Sequence, residues 1–189
     1  VNVATLKAAL SALPVEYAKW AVEQDGLIAN VSGARRQDVA RDCLVKIREA
    51  CRRIEGGINR LVNDPTSRDA FRILNKVMAR ANRQRAAADN KKLLSEQRAP
   101  TWRLFQLAFI LANLPSMALL DHEERSTDPT AAADLLWFPT GGGKTEAYLG
   151  LTAFTLAIRR LQGIVNGYDG GYGVAVTIEF VGPLTLALV

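Results

Sequence analysis

Between residues 139 and 145 the sequence reads "PTGGGKT", three consecutive glycines running into a lysine and a threonine. These residue types suit the grip of a polyphosphate. Backbone amides must converge on the phosphate oxygens, and only glycine lets the chain curl inward with no Cβ in the way. A helix that opens directly after the loop adds its unpaired amides and the positive end of its macrodipole. Lys144 would reach the β and γ phosphates of a nucleoside triphosphate, and Thr145 would place its hydroxyl on magnesium. The expected binding set is therefore Thr140, Gly141, Gly142, Gly143, Lys144, Thr145 and the first-turn residue Glu146. One position departs from the general pattern G-x-x-x-x-G-K-[ST]: Phe138 stands where the first glycine is usual.

The elements that must position this loop can be read on either side of it. "LLWF", residues 135–138, has the length and apolarity of a short buried strand. "KTEAYLGLTAFTLAIRRLQG" is a helix that Gly163 would cap, and a glycine-rich loop and a second strand-like run follow. Strand, glycine turn, helix and strand make a βαβ unit, the seed of a parallel sheet, so the fold class expected is α/β. Upstream the pattern is helical. Val39, Cys43, Ile47, Cys51, Ile54, Ile58 and Leu61 predict an amphipathic helix from Ala34 to Leu61, weakened in its last turns by Gly56 and Gly57. "NDPTS" is a break at which Thr66 or Ser67 can cap a second helix reaching about Ala88, with Phe71, Leu74, Val77 or Met78, and Ala81 inward. A third helix, "TWRLFQLAFILANL", is expected to stop before Pro115.

Charge is unevenly spread along the 189 residues. Residues 1–100 carry 19 Lys/Arg against 11 Asp/Glu, and the remainder 5 against 8. Arg68, Arg72, Lys76 and Arg80 stand at i, i+4 spacing as a basic ridge reinforced by Arg83 and Arg85, which suits either a solvated, internally paired face or nucleic acid. Cys43 and Cys51 are eight apart in one helical pattern, too far to bridge, and read as two buried reduced thiols in a cytoplasmic protein. With His122 the one histidine, a four-ligand zinc site has little support, and "DHEER" around it reads as a solvated loop. The most apolar run contains Gln106, Asn113 and Pro115 and is too short to span a bilayer.

"WRLFQLAF" resembles the element that precedes the phosphate loop in many superfamily 2 helicases, where a glutamine beside an aromatic residue reads the adenine edge. Joined in order, "AFRILNKVM", "WRLFQLAFILANLPS" and "ADLLWFPTGGGKTEAYLGLTAFTLAIRRLQG" resemble the helicase subunit of DISARM-type bacterial anti-phage systems, over most of residues 10–163. That resemblance implies a helical, basic region over residues 1–100 and the start of a RecA-like nucleotide-binding domain over 101–189. It also implies an ATP-dependent helicase or translocase acting on DNA with other defence-system subunits. By it Gln106 would select adenine, with Phe105 or Trp102 packed near the base.

The same resemblance sets expectations that the sequence departs from. Hydrolysis needs an acidic motif on a later strand and an arginine finger. The acids after Thr145 are Glu146, Asp169 and Glu179, none in an Asp-Glu pair. The chain opens on Val1 and closes on "TIEFVGPLTLALV" where the family would continue with a basic, aromatic segment, so a truncated member near Thr177 is expected. Binding of ATP and magnesium is then expected without turnover. The alternative is a non-catalytic helical module that binds DNA or a subunit and carries a degenerate nucleotide site. A P-loop kinase or small GTPase would share the loop but lacks base-recognition and acceptor elements here.

Overall fold

The structure is a computed structural model that describes residues 2–125, 134, 143–165, 168–169, 178–181 and 185–188. Five α-helices dominate: α1 (Val3–Leu27), α2 (Ala34–Asn63), α3 (Pro65–Asn90), α4 (Leu104–Ala118) and α5 (Lys144–Gln162). Helices α2, α4, α5 and α3 pack in a closed circuit, and α1 lies along the outer flank of α2. One core runs through all five, with Leu10, Ile58, Leu61, Leu74, Leu111, Leu114, Phe154 and Ile158 among its buried residues.

The expected α/β fold does not form among these residues. Four short strands are described, β1 (Ile164–Val165), β2 (Tyr168–Asp169), β3 (Ile178–Val181) and β4 (Thr185–Leu188), and they pair antiparallel as β1 with β2 and β3 with β4. No parallel pair exists among the described residues, so no βαβ crossover is present. A local reason is the chain after α5. Val165 pairs with Tyr168 across Asn166 and Gly167, and Asn-Gly is the dipeptide that most favours a two-residue hairpin over a crossover. The expected strand at 135–138 lies outside the described residues.

Helix α1 had no counterpart in the periodicity, because its apolar residues lie all round the helix. Leu10, Pro14 and Ala21 are buried while Val15, Trp20 and Val22 are exposed. It runs antiparallel to α2, with Arg48 of α2 paired to Asp25 at 2.6 Å and the Cys51 thiol donating to the Pro14 carbonyl at 3.4 Å.

Helix α2 buries a stripe one position away from the expected one over its first half. Leu44, Cys51, Ile54, Ile58 and Leu61 are buried with Ala40 and Ile47 packed beside them, whereas Val39 and Cys43 are exposed. The inward residues alternate spacings of four and three, which keeps them on one face at about 100° per residue. A run of i+4 steps from Val39 to Cys51 drifts by about 120° and cannot stay inward. One thiol, not two, is therefore buried.

Between α2 and α3 the cap is Asp64, not Thr66 or Ser67. Its carboxylate accepts from the Thr66 amide at 3.0 Å, and Pro65 takes the first helical position, where no N–H is needed. Ser67 is buried and donates to Asp64 at 2.6 Å, while Arg60 reaches both residues. On α3, Phe71 and Leu74 face inward as expected, and of the pair Val77 or Met78 it is Met78 that is partly buried, while Val77 and Ala81 are exposed.

Helix α4 does not stop before Pro115; it continues to Ala118. Proline at 115 leaves the Leu111 carbonyl without its intrahelical donor. That carbonyl faces Gly57 of α2 so closely that a Cβ on Gly57 would collide with it. The glycine pair thus serves a close helix crossing instead of marking a weak end. The last carbonyls of α4 are taken by side chains: Arg159 donates to Met117 at 2.8 Å, Gln162 to Ala118 at 2.7 Å and Arg125 to Ser116 at 3.3 Å. Burial, and then the neighbouring Arg125, lower the pKa of Arg159.

Candidate functional site

The first turn of α5 is built from the residues singled out for phosphate. Gly143 is the N-cap in the left-handed region, with φ at 88°, and Lys144 opens the helix. Thr145 and Glu146 complete the first turn. Thr140, Gly141 and Gly142 lie outside the described residues, as do Phe138 and Pro139.

Gln106, 37 residues upstream, is the residue that meets this turn. It is buried, with 5% of its surface exposed. Its Nε2 donates to the Gly143 carbonyl at 2.8 Å, and its Oε1 accepts from the Arg103 amide at 2.8 Å. The second bond is half of a capping box that starts α4. Glycine at 143 is favoured by its backbone conformation, and a side chain there would also displace the end of Gln106. The positive φ disfavours any side chain, and a Cβ would lie 2.7 Å from Gln106 Nε2.

The aromatic neighbours of Gln106 are placed apart. The Trp102 indole donates to Asn75 of α3 at 2.8 Å, and its ring abuts Gly150 of α5. Phe105 turns the other way, into an apolar groove of about 880 Å³ that α1, α2 and α4 line together with Tyr17, Trp20 and Phe109.

Long-range ion pairs also join the helices, one of them at the first turn of α5, and none was legible in the sequence. Arg85 of α3 reaches Glu146 at 3.2 Å across 61 residues of chain. Arg53 of α2 donates to Asp134 through both terminal nitrogens, at 2.6 and 2.7 Å, and to Glu124 through one of them at 3.2 Å. The Asp134 carboxylate raises the pKa of Arg53, and its partial burial strengthens the pair relative to an exposed one. Asp134 immediately precedes the expected strand. No local pattern could reveal a partner 81 residues away.

The basic ridge divides. Arg68 is turned back onto the Leu61 and Val62 carbonyls at the end of α2, both at 3.0 Å, so it caps a helix. Arg72 pairs with Asp69 at 2.9 Å. Lys76 and Arg80 line an open groove along α3 together with Arg83. His122 is not a solvated residue: its ring is largely covered, and its Nδ1 accepts from the Glu124 amide at 3.2 Å. No cluster of three or more metal-ligating side chains occurs among the described residues, and none of their helices is long and apolar enough to cross a membrane.

No family model matches the chain. A curated relative does: DISARM protein DrmA of Bacillus paralicheniformis, 38% identical over 161 residues. The match takes in 81% of this chain but only 13% of that protein, so the chain spans a small part of the relative's length. The chain is therefore DISARM-related over most of its length.

Proposed function

We propose that this chain carries the ATP-binding segment of a superfamily 2 DNA helicase or translocase that works in an anti-phage defence system. Residues 140–145 cradle the triphosphate, Lys144 neutralises it, and Thr145 presents its hydroxyl to magnesium. The observation that supports this reading best is the bond from Gln106 to Gly143, which joins the adenine-reading candidate to the first turn of the phosphate helix. A carboxamide has two acceptor lone pairs and two N–H groups. The two bonds described for Gln106 use one acceptor lone pair and one N–H.

Turnover is a separate matter. Within these residues no Asp-Glu pair follows the phosphate loop, so nucleotide is held here, and the acidic motif and arginine finger come from other parts of the full helicase. The DISARM relationship supports other defence subunits as partners.

Calorimetric titration of magnesium and ATP into the 189-residue chain and into Lys144→Ala tests the reading. At least a tenfold loss of affinity is expected in the variant, with GTP binding more weakly than ATP to the parent. Equal affinity in the two proteins, or no binding by either, would refute the nucleotide site.

A further inference from the structure

Six cations stand on α3, and the structure separates those already engaged from those that are not. Arg68 is held by the carbonyls ending α2, Arg72 by Asp69 and Arg85 by Glu146. Lys76, Arg80 and Arg83 remain, and no carboxylate among the described residues lies within 4.0 Å of them. They share one open groove of about 730 Å³, whose other described lining residues are Arg72, Asn75, Ala79 and Leu94. Arg83 Nε is shielded from solvent and has no hydrogen-bond partner among the described residues.

The spacing suits a regular line of negative charge. Positions 76, 80 and 83 are four and three apart, hence on one face, and span about 10 Å at 1.5 Å per residue. Arg72 extends the line to about 16 Å. One strand of a duplex places a phosphate every 3.4 Å of helix axis, so a rigid α-helix lying along it brings three or four cations to phosphates together. The absence of an aromatic residue from the described lining selects between forms of nucleic acid. Surfaces for single strands stack bases on aromatic rings, and this groove offers alanine, asparagine and leucine instead.

We propose that the groove along α3 is a docking surface for the phosphate backbone of duplex nucleic acid, held by Lys76, Arg80 and Arg83 with Arg72 at its end. It is separate from the first turn of α5 and works without nucleotide. Contacts of this kind carry no base sequence; they fix the protein on the duplex.

The test is fluorescence anisotropy with a labelled 20-base-pair DNA duplex, in the absence of ATP, at several salt concentrations between 50 and 200 mM. Three phosphate contacts contribute a slope of about −2.7 in log affinity against log salt, a loss of about 40-fold across that range. Lys76→Gln/Arg80→Gln/Arg83→Gln should remove most of that slope and keep the parent's circular dichroism spectrum. Arg35→Gln/Arg36→Gln/Lys46→Gln deletes the same charge elsewhere and should stay within threefold of the parent. The proposal is overturned if the two triple variants weaken binding equally, if the parent does not bind the duplex at 50 mM salt, or if a 20-nucleotide single strand or polyglutamate binds as tightly. Double-stranded RNA of the same length distinguishes a general duplex reader from one selective for DNA, and weaker binding to it is expected.

Discussion

Gly56 and Gly57 are adjacent in one helix, yet alanine should have opposite effects at the two positions. Replacing a helical glycine with alanine contributes about 1 kcal/mol from backbone entropy. At Gly56 the added Cβ lies 3.8 Å from Pro115 Cγ, an ordinary contact, so that gain is retained. At Gly57 it would strike the Leu111 carbonyl oxygen, and backbone in a buried crossing cannot swing aside as a side chain can. Forcing α2 and α4 apart costs about 3 kcal/mol or more, on the scale of overpacked cores. The net expectation is a loss of about 2 kcal/mol for Gly57→Ala and a gain of 0.5–1 kcal/mol for Gly56→Ala. At about 2–4 °C per kcal/mol for a chain of this size, the two variants should melt roughly 5–12 °C apart. Differential scanning calorimetry of both proteins reads this directly. If Gly57→Ala melts with or above Gly56→Ala, the close crossing and the account of Pro115 given for it are wrong.

Other outcomes follow from single side chains. Burial pushes the Asp64 pKa up, but hydrogen bonds from Ser67 and from the Thr66 and Ser67 amides, with the Arg60 charge, outweigh it and hold the carboxyl below its usual value. A depressed folded pKa stabilises the fold above the unfolded value near 3.9, and that contribution is lost as pH falls through the folded value. The urea midpoint of the parent should therefore exceed that of Asp64→Asn at pH 6, and the gap should close towards pH 3; a constant gap would assign the loss to shape instead of charge. For the thiols, burial, and then the Glu55 charge, raise the pKa of Cys51, whereas Cys43 is exposed. A thiol reagent should label one cysteine of the native chain quickly and two after denaturation, and the fast label should disappear in Cys43→Ser.

The parts legible in the sequence are those that local chemistry decides. Lys144 opens α5 and Gly163 ends it, because glycine after a lysine- and arginine-bearing amphipathic run is a stop that needs no tertiary partner. Likewise the break at Asp64 and Pro65 is local. What was illegible is what other helices impose. Pro115 predicted a stop, yet α4 continues because Arg125, Arg159 and Gln162 take the carbonyls of its final turn. Arg68 belongs to the basic ridge by spacing, yet folds back onto α2. Gln106 was singled out by a resemblance to an adenine-reading element; its bond to Gly143 depends on the side-by-side packing of α4 and α5, which no spacing encodes. The parallel sheet was read from strand and glycine pattern alone. Among the described residues the strands that follow the helix pair antiparallel instead.

Bonds at both ends of α4 also fix its direction relative to α5. Gln106 near its start meets Gly143, and Met117 and Ala118 at its end meet Arg159 and Gln162, so the two helices run parallel. Neighbouring parallel helices add their dipoles where antiparallel ones would cancel them. One end of the pair therefore gathers two partial positive poles at Gly143, and the other gathers two negative poles where Arg125 and Arg159 sit. The α4–α5 pair is thus polarised along its length, and α3, whose Arg85 reaches Glu146 while Asn75 lies across Trp102 from Gly150, runs the opposite way and brings its own C-terminal pole towards the start of α5.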